Sequence, residues 1–473
     1  MNRLYKILLP LIAGIILSGC ATSPKPSTSE QIVTPEQWQS ADREHYQGKS
    51  DNDGVMLTDA TWLNYFENSL QLQSLIKQGI LSNKDLAIAS SRVAKAQAEL
   101  RTIQPNRLPT IDINGQGKRQ NMNGATSQGF SDDTHTNEYS AHLGLRWEID
   151  LWGSLRNQVQ FSRTQLESNQ ANLKYAQMSI ASQIVKTWLG IMHIEGQINL
   201  LEEHQKIQTL YLNSIEERYR RGLIFAETLL NEKNKAQAIF ETVSNLYNER
   251  DQLSRSLALL IGEYPKADTL EYEPLPDLLD SIPAGIPSDI LRNRPDVIAI
   301  ERQLAGSRVL LKTAKKQRLP KISLTGASGN ASTELSNLVN SSNSFWNLGL
   351  NLTQPLINFG SINANIKASK AKLSEAEATY EKVILNAFME VENALASESY
   401  LKVVQNSNTL VLNQTKNIAS IFQTKYIEGS SDFLNHLNTK ISALESERQN
   451  LQIKYNQLQN RINLYLALGY SFI

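Results

Sequence analysis

The feature that most constrains this chain is that it is written twice. "RYRRGLIFAETLLN" from Arg218 reads against "KYIEGSSDFLNHLN" from Lys425. Tyr219 and Tyr426, Gly222 and Gly429, Asn231 and Asn438, Gly262 and Gly469, and Gly153 and Gly360 all stand 207 positions apart. Upstream, "RLPTIDINGQG" from Arg107 matches "RLPKISLTGASG" from Arg318 at a spacing of 211. Solenoid repeats have periods of about 20–50 residues, so this is a duplicated half-molecule rather than a repeat array. Every structural element is therefore expected in two copies related by internal pseudo-symmetry.

Each half carries period-2 alternation beside very long proline-free stretches. Ile111 and Ile113 alternate with Asp112 and Asn114, and Leu143, Leu145 and Trp147 alternate with His142, Arg146 and Glu148. The second copy sets Ile322 and Leu324 against Ser323 and Thr325, then Trp346, Leu348, Leu350 and Leu352 against Asn347, Asn351 and Thr353. These patterns predict strands over 109–120, 138–150, 320–330 and 346–357, joined by polar loops near 121–137 and 331–345. Aliphatic groups and Trp on one face, with polar groups on the other, fit a barrel with a wet lumen and a lipid-facing wall. Leu143, Leu145, Leu348 and Leu350 are expected to meet lipid, and Arg146, Glu148, Asn347 and Asn351 to meet water. Taken singly, each strand fits a soluble antiparallel sheet with one face on a core better than a membrane wall.

The 69-residue intervals from Gly153 to Gly222 and from Gly360 to Gly429 contain no proline. As unbroken helices they would be about 100 Å long at 1.5 Å per residue. Val159, Leu166, Leu173 and Ile180 recur every seven residues, and Ile366 and Leu373 repeat the phase, which predicts coiled-coil packing. Return helices are expected from about Ala226 to Leu260 and from about Asp432 to Leu468. A further helix precedes each strand pair, about Leu70–Ile103 and about Pro295–Lys316. The domain reading is a first repeat over 65–264, a proline-marked connector over 265–290 and a second repeat over 291–473.

The N-terminus reads as an address. Asn2, Arg3 and Lys6 precede the apolar run Ile7–Leu17, too short to span a bilayer comfortably and suited to a signal peptide over 1–19. It ends in Leu17-Ser18-Gly19-Cys20, similar to a bacterial lipobox, and Cys20 is the single cysteine of the chain. Lipidation at Cys20 is expected, with Ala21 rather than an acid following it, and one cysteine allows no disulfide within a mature chain. Residues 20–64, rich in Pro, Ser, Thr and Gln, read as an extended, weakly structured tether. Past the signal, no apolar stretch is long enough for a membrane helix, so strands would have to do the spanning.

Composition and motifs exclude much. The 47 basic and 47 acidic residues balance, which gives no footprint for nucleic acid. There is no Gly-x-x-x-x-Gly-Lys-Ser/Thr loop and no Gly-x-Ser-x-Gly elbow. The histidines at 45, 135, 142, 193, 204 and 436 lack paired metal spacing, and six methionines form no soft-metal path. Gly115-Gln116-Gly117 lies inside a strand pattern and is not a dinucleotide loop. No enzyme, cofactor or metal is expected; the covalent lipid on Cys20 is the one attached group.

At this point the chain resembles the outer-membrane factors, the TolC-like exit ducts of tripartite pumps, and within them the lipoprotein ducts that partner resistance-nodulation-division pumps. The resemblance rests on Cys20, "WEIDLWGSLRN" at 147–157, "IPSDILRNRPDV" at 286–297, "RLPKISLTGASG" at 318–329 and the tips "RYRRG" and "KYIEG". It covers nearly the whole mature chain. The residues alone argue for an oligomer, since four strands cannot close a barrel that needs at least eight, and the open edges would be exposed to lipid. They leave the copy number open. The resemblance implies a homotrimer: a mixed α+β membrane protein whose long α-helical barrel continues a transmembrane β-barrel, four strands per protomer and twelve in all. It also implies a periplasmic adaptor and an inner-membrane pump as partners, an outer-membrane location with a long periplasmic extension, and passive conduction of drugs, toxic small molecules or metal ions. The alternatives are the duct of a type I protein secretion system, or a periplasmic coiled-coil lipoprotein without a pore; the alternating strands argue against the latter.

A duct through the outer membrane must close at its periplasmic end. The repeated helix tips, Arg218, Tyr219 and Gly222 with Lys425, Tyr426 and Gly429, are the candidates for that aperture, glycine permitting the reversal. By resemblance, an acid is common beyond each turn; here Asn231 and Asn438 stand there, Lys425 replaces the commoner Arg, and Asp432 and Glu227 are the nearest acids. Polar bonding and packing are the expected latch, with no aspartate ring.

Overall fold

The structure is a computed structural model that describes residues 38–40, 69–125, 131–278 and 292–470. The signal segment, Cys20, most of the tether and the end of the connector lie outside the described residues. The elements run α1 (Leu70–Ser82), α2 (Lys84–Ile103), β1 (Thr110–Ala125), β2 (Ser131–Glu148), α3 (Ser154–Arg220), α4 (Ala226–Leu260), α5 (Pro295–Lys316), β3 (Lys321–Ser332), β4 (Ser344–Thr353), α6 (Ser361–Ile427) and α7 (Phe433–Leu468). The two long helices are 67 residues each.

The strands form one antiparallel sheet in the order β1-β2-β3-β4, so β1 and β4 are both open edges. The register aligns the apolar positions into continuous rows. Ile111, Leu145, Gly326 and Leu348 form one row, and Ile113, Leu143, Ser328 and Trp346 the next. Thr110, Arg146, Thr325 and Gly349 share the other face, with Asp112, Gly144, Ala327 and Asn347 beside them. Within one protomer the apolar face is bare: Ile113 is 84% exposed and Leu350 69%. A sheet of this size with an uncovered apolar face is stable only against another apolar medium.

Three sequence expectations are corrected. The polar stretch expected as a loop over 121–137 is mostly strand: β1 and β2 stay paired out to Ala125 and Ser131, past the end of β3, which meets β2 at Tyr139. That stretch is largely polar and lacks regular alternation, so it carries no strand signal in its sequence. β4 ends at Thr353 rather than 357, because the chain turns at Pro355, which has no N–H for a ladder. The helix expected over Leu70–Ile103 breaks at Asn83, whose φ of −61° and ψ of 133° are extended. Its Oδ1 accepts from the amides of Asp85 and Leu86, capping α2, while its own N–H closes α1 on the Gly79 carbonyl.

The helices form four adjacent columns. α3 packs against α2 and α5 over its first half and against α4 and α7 over its second, while the helices packed on α6 are chiefly α5 and α7. Two columns are built of short helices stacked end to end. Asn83 Nδ2 donates to the Leu260 carbonyl at 2.8 Å, so the end of α4 meets the α1–α2 break. Arg294, buried just before α5, donates to the Ala467 carbonyl at 3.1 Å near the end of α7. The repeated glycines sit in these joints. A Cβ on Gly262 would lie 2.4 Å from the Ser82 carbonyl oxygen, and one on Gly469 2.9 Å from the Asn293 backbone.

The main core lies at the level of the joints, midway along α3. Trp188, Ile184, Leu189 and Met192 of α3 pack with Leu72 and Ile76 of α1, Leu257 of α4, and Leu458 and Ile462 of α7. Trp188 Nε1 donates to Gln71 Oε1 at 3.0 Å. The one described piece of the tether is docked: Trp38 is buried edge-on against Phe388, and the amides of Gln39 and Ser40 each donate to Glu392 at 2.8 Å. The tether, expected as weakly structured, is thus fixed to α6 at residues 38–40.

Candidate functional site at the paired helix tips

Each long helix ends in the same hydrogen-bonded reversal. Gly222 has φ +70° and Gly429 φ +73°, a backbone region that a side chain disfavours. The Leu223 amide donates to the Arg218 carbonyl at 2.9 Å and the Ser430 amide to the Lys425 carbonyl at 2.8 Å, spanning the turn and satisfying carbonyls the helix end would otherwise leave open. The return helices α4 and α7 start within a few residues, so both tips present their last turn and their reversal at the same end of the columns.

The structure joins the two tips through charge. Arg218 Nη2 lies 2.5 Å from Asp432 Oδ2, linking the end of α3 to the residue that precedes α7. The Arg218 guanidinium holds the Asp432 carboxyl below the usual carboxylate range. Both side chains are partly open to water, 37% and 44% exposed, so the pair contributes no more than about 1 kcal/mol. Glu217 engages Arg221 at 2.8 Å and Glu216 engages Lys233 at 3.0 Å, which fastens the first tip to itself.

The second tip is held by aromatic packing. Tyr426 stacks on His436, centroids 5.6 Å apart at 3°, and lies 5.2 Å from Phe433. Aromatic pairs of this kind contribute about 0.5–1.5 kcal/mol each beyond area burial, more than the exposed ion pair. Lys425 lies over the Phe422 ring at 5.5 Å. Asn438 Nδ2 reaches Tyr211 Oη at 3.5 Å, a second weak link between the hairpins.

Of the sequence-predicted residues, the structure brings Arg218 to Asp432, seats Tyr426 on its own hairpin and turns the chain at Gly222 and Gly429. Tyr219 is 43% exposed without an aromatic partner among the described residues; Asn231 and Glu227 are exposed and take no part. Sequence reasoning missed Phe433, His436 and Tyr211. The available signal was Phe433 and His436 three residues apart at a helix start, which places them on one face.

Above the tips, the seam between α3 and α7 carries polar contacts on successive helical turns. His193 stacks on Tyr455 at 4.5 Å and shares a 3.0 Å hydrogen bond with Gln452, and Gln197 Nε2 donates to the Arg448 carbonyl. Burial lowers the His193 imidazole to about 4, so it is neutral near neutrality. No group of His, Cys, Asp and Glu among the described residues could hold a metal ion.

The comparisons with known proteins match this geometry. The family model described as outer membrane efflux protein covers residues 75–263 and 286–470, one segment per repeat. Among curated proteins, the chain is 26% identical to the cation efflux system protein CusC of Escherichia coli K12, over 98% of both chains. It is 28% identical to the toluene efflux pump outer membrane protein TtgI of Pseudomonas putida, over 98% of this chain and 97% of that one. Among solved structures, the outer-membrane channel OprN superposes with a TM-score of 0.83 at 23% identity, covering 96% of this chain and 99% of that one. The open-state MtrE outer membrane channel of Neisseria gonorrhoeae gives 0.73 at 25% identity, over 84% and 88%. With its duplicated helices, its membrane sheet and a family match across both halves, this chain belongs to the outer membrane efflux proteins and is an outer-membrane efflux channel with a periplasmic helical extension.

Proposed function

We propose that three copies close into a passive exit duct, lipidated at Cys20, that receives its cargo from a periplasmic adaptor and an inner-membrane resistance-nodulation-division pump. The observation that carries this reading is the pair of open edges. β1 and β4 lack partners within the protomer. At the helical end, α6 presents a bare apolar stripe that includes Tyr400, Val403, Leu410, Ile418 and Ile421. Pairing β4 with the next copy's β1, and α6 with the next copy's α2–α4 column, closes both barrels with one operation. Four strands per copy make three the smallest ring that exceeds the eight-strand minimum with room for a wet lumen.

The pump, rather than the duct, selects the cargo. The lumen-side rows of Asn, Ser, Thr and scattered charge favour no single chemistry, and the relatives' names range over cations, toluene and pyoverdine. Efflux relatives favour this reading over a type I secretion duct. The family is one of channels rather than enzymes, and the energy for transport comes from the partner.

The paired tips form the closed aperture. Arg218–Asp432 ties the hairpins together, and the Tyr426 stack stiffens the second hairpin. The test is single-channel recording on the assembled Tyr219→Ala, Tyr426→Ala protein, with Arg218→Gln as a second variant. Larger conductance than the parent in an intact oligomer is expected. Unchanged conductance in both assembled variants reduces these residues to structural ones, and the absence of any channel from the parent sinks the duct.

A further inference from the structure

Two motifs of the duplicated sequence remain unused by the aperture: Arg-Leu-Pro at 107–109 and 318–320, and "WEIDLW" at 147–152. The fold brings them to one level. Each Arg-Leu-Pro turn ends a short helix and feeds a strand, at the same height where β2 and β4 hand over to the long periplasmic helices. The tryptophans pin these turns. Trp147 Nε1 donates to the Arg107 carbonyl at 2.9 Å and Trp152 Nε1 to the Pro320 carbonyl at 2.7 Å. Trp147 shares a row with Leu324 and Leu350, the apolar face of the sheet, so the first turn is fastened from the lipid side.

Around these turns the surface stays apolar beyond the last strand residues. Within the single protomer Leu108 is exposed, and Leu356, Ile357 and Phe359 strongly so, Phe359 at 99%. Phe359 is also the single non-glycine residue with positive φ among the described residues, +48°. A bulky apolar ring held outward is unfavourable in water and favourable in an apolar boundary.

The charge at this level is basic and unspent. Arg107 is exposed and meets no acceptor among the described residues. Arg318 donates one N–H to Asn363 Oδ1 at 2.6 Å, leaving the rest of its fork open. The nearby acid Asp150 is already occupied by the amides of Leu155 and Arg156 and by the Arg156 guanidinium. Glu148 lies on the opposite, polar face, in a row with Ser323 and Asn351.

We propose that the Arg-Leu-Pro belt is a binding surface for anionic phospholipid on the periplasmic side of the outer membrane. The arginines at 107 and 318 take the phosphodiester, and Trp147, Trp152 and the Leu356–Phe359 segment sit at the acyl boundary. Three features carry this assignment. The belt continues the lipid-facing wall of the sheet. Arginine's planar fork matches a phosphate geometrically. Tryptophan indoles with one wet end collect at membrane interfaces. The device is built twice, once per repeat, so each protomer would hold at least two headgroups.

The test uses the full-length protein in vesicles of equimolar phosphatidylcholine and phosphatidylglycerol, with spin-labelled lipid reporting the immobilised shell. Phosphatidylglycerol is expected to be preferred about fivefold, the effect of roughly one well-placed basic residue per site. Arg107→Gln with Arg318→Gln brings the two lipids to parity, while Arg107→Lys with Arg318→Lys keeps most of the preference. If the glutamine pair fails to assemble, the parent at high salt serves instead, where an electrostatic preference collapses. Three outcomes overturn the proposal: no preference in the parent, a preference that survives both the glutamine pair and high salt, or one that inorganic phosphate removes, which would mark a free-anion site. Channel conductance recorded on the same samples separates failure of the lipid site from failure of the duct.

Discussion

The two long helices are copies of one another in length, in their flanking glycines and in their tip motifs, yet they live in different surroundings. α3 is buried almost continuously from Ile180 to Ile198, whereas α6 buries little besides Ile384, Ala387, Phe388, Val391, Ala394 and Leu395. His193 and Tyr400 occupy equivalent positions, 207 apart, but are 7% and 67% exposed. Gly196 is buried where α7 approaches, a Cβ there meeting Leu451 Cδ2 at 2.7 Å, while its counterpart Val403 is 68% exposed. The difference lies in column order: α3 has neighbours on both sides within the protomer, and α6 has them on one. Duplication supplied two similar rods, and one of them became the inside of a protomer while the other became its border.

The sharpest way to break this comparison is to truncate a large side chain in each rod. Trp188→Ala in α3 is expected to cost about 3–5 kcal/mol of protomer stability, a transfer plus cavity penalty. Tyr400→Ala in α6 is expected to leave the protomer near its parent value and to weaken the assembly instead. Denaturant melts of the protomer beside gel mobility of the unboiled oligomer separate the two. Equal losses in both assays for both variants would erase the distinction between interior rod and border rod.

The end-to-end joints offer a second contrast. The second joint is ionic: Arg294 is 4% exposed at its side chain, and pairs with Asp296 at 2.7 Å and Glu390 at 2.6 Å. The first relies on the Asn83 amide. Arg294→Ala leaves two carboxylates short of their partner at a buried joint and is expected to cost about 3 kcal/mol. Asn83→Ala, loss of a cap, is expected to cost about 1 kcal/mol. Thermal unfolding of the two variants checks the order; a reversal would mean that the amide joint carries the column.

A third contrast is a pH dependence confined to the interior rod. His193 titrates near 4 when folded because burial disfavours its charged form, against about 6.5 in an unfolded chain. Between those values the unfolded chain binds a proton that the folded one refuses. Stability is therefore lost as pH falls below about 6.5 and levels off below about 4, reaching about 2 kcal/mol at pH 5. His193→Gln is expected to flatten that part of the profile in denaturant melts from pH 8 to pH 4, while Tyr400→Gln leaves it unchanged. An unaltered slope in His193→Gln would assign the acid sensitivity to other groups.

Local pattern made much of this molecule legible. Alternation at Leu143–Trp147 and Trp346–Leu352 exposed the strands and their faces, and proline-free stretches bounded by Gly153, Gly222, Gly360 and Gly429 exposed the long helices nearly to the residue. It failed where the local signal was absent or overruled. The far part of the β1–β2 hairpin carries no regular alternation of apolar and polar residues in its sequence, so it does not read as strand. The break at Asn83 is one residue in an otherwise helical run, made necessary by the end of α4 pressing on it. At the tips, Gly222 and Gly429 were readable because a reversal demands backbone freedom, but the Arg218–Asp432 pair joins residues 214 positions apart, and no periodicity reports a contact of that range.

What the sequence by itself determined is whatever depends on neighbours a few residues away: the duplicated elements, the two-sided strands, the length of each rod, and the capping glycines. What only the tertiary structure decided is which copy lies inside. The column order, the strand order β1-β2-β3-β4, the docking of Trp38 on α6 and the cross-hairpin latch all come from packing between segments far apart in the chain. Equal length and shared flanking glycines leave that choice open; it is settled by close approaches such as α7 on Gly196, where the other copy carries the exposed Val403.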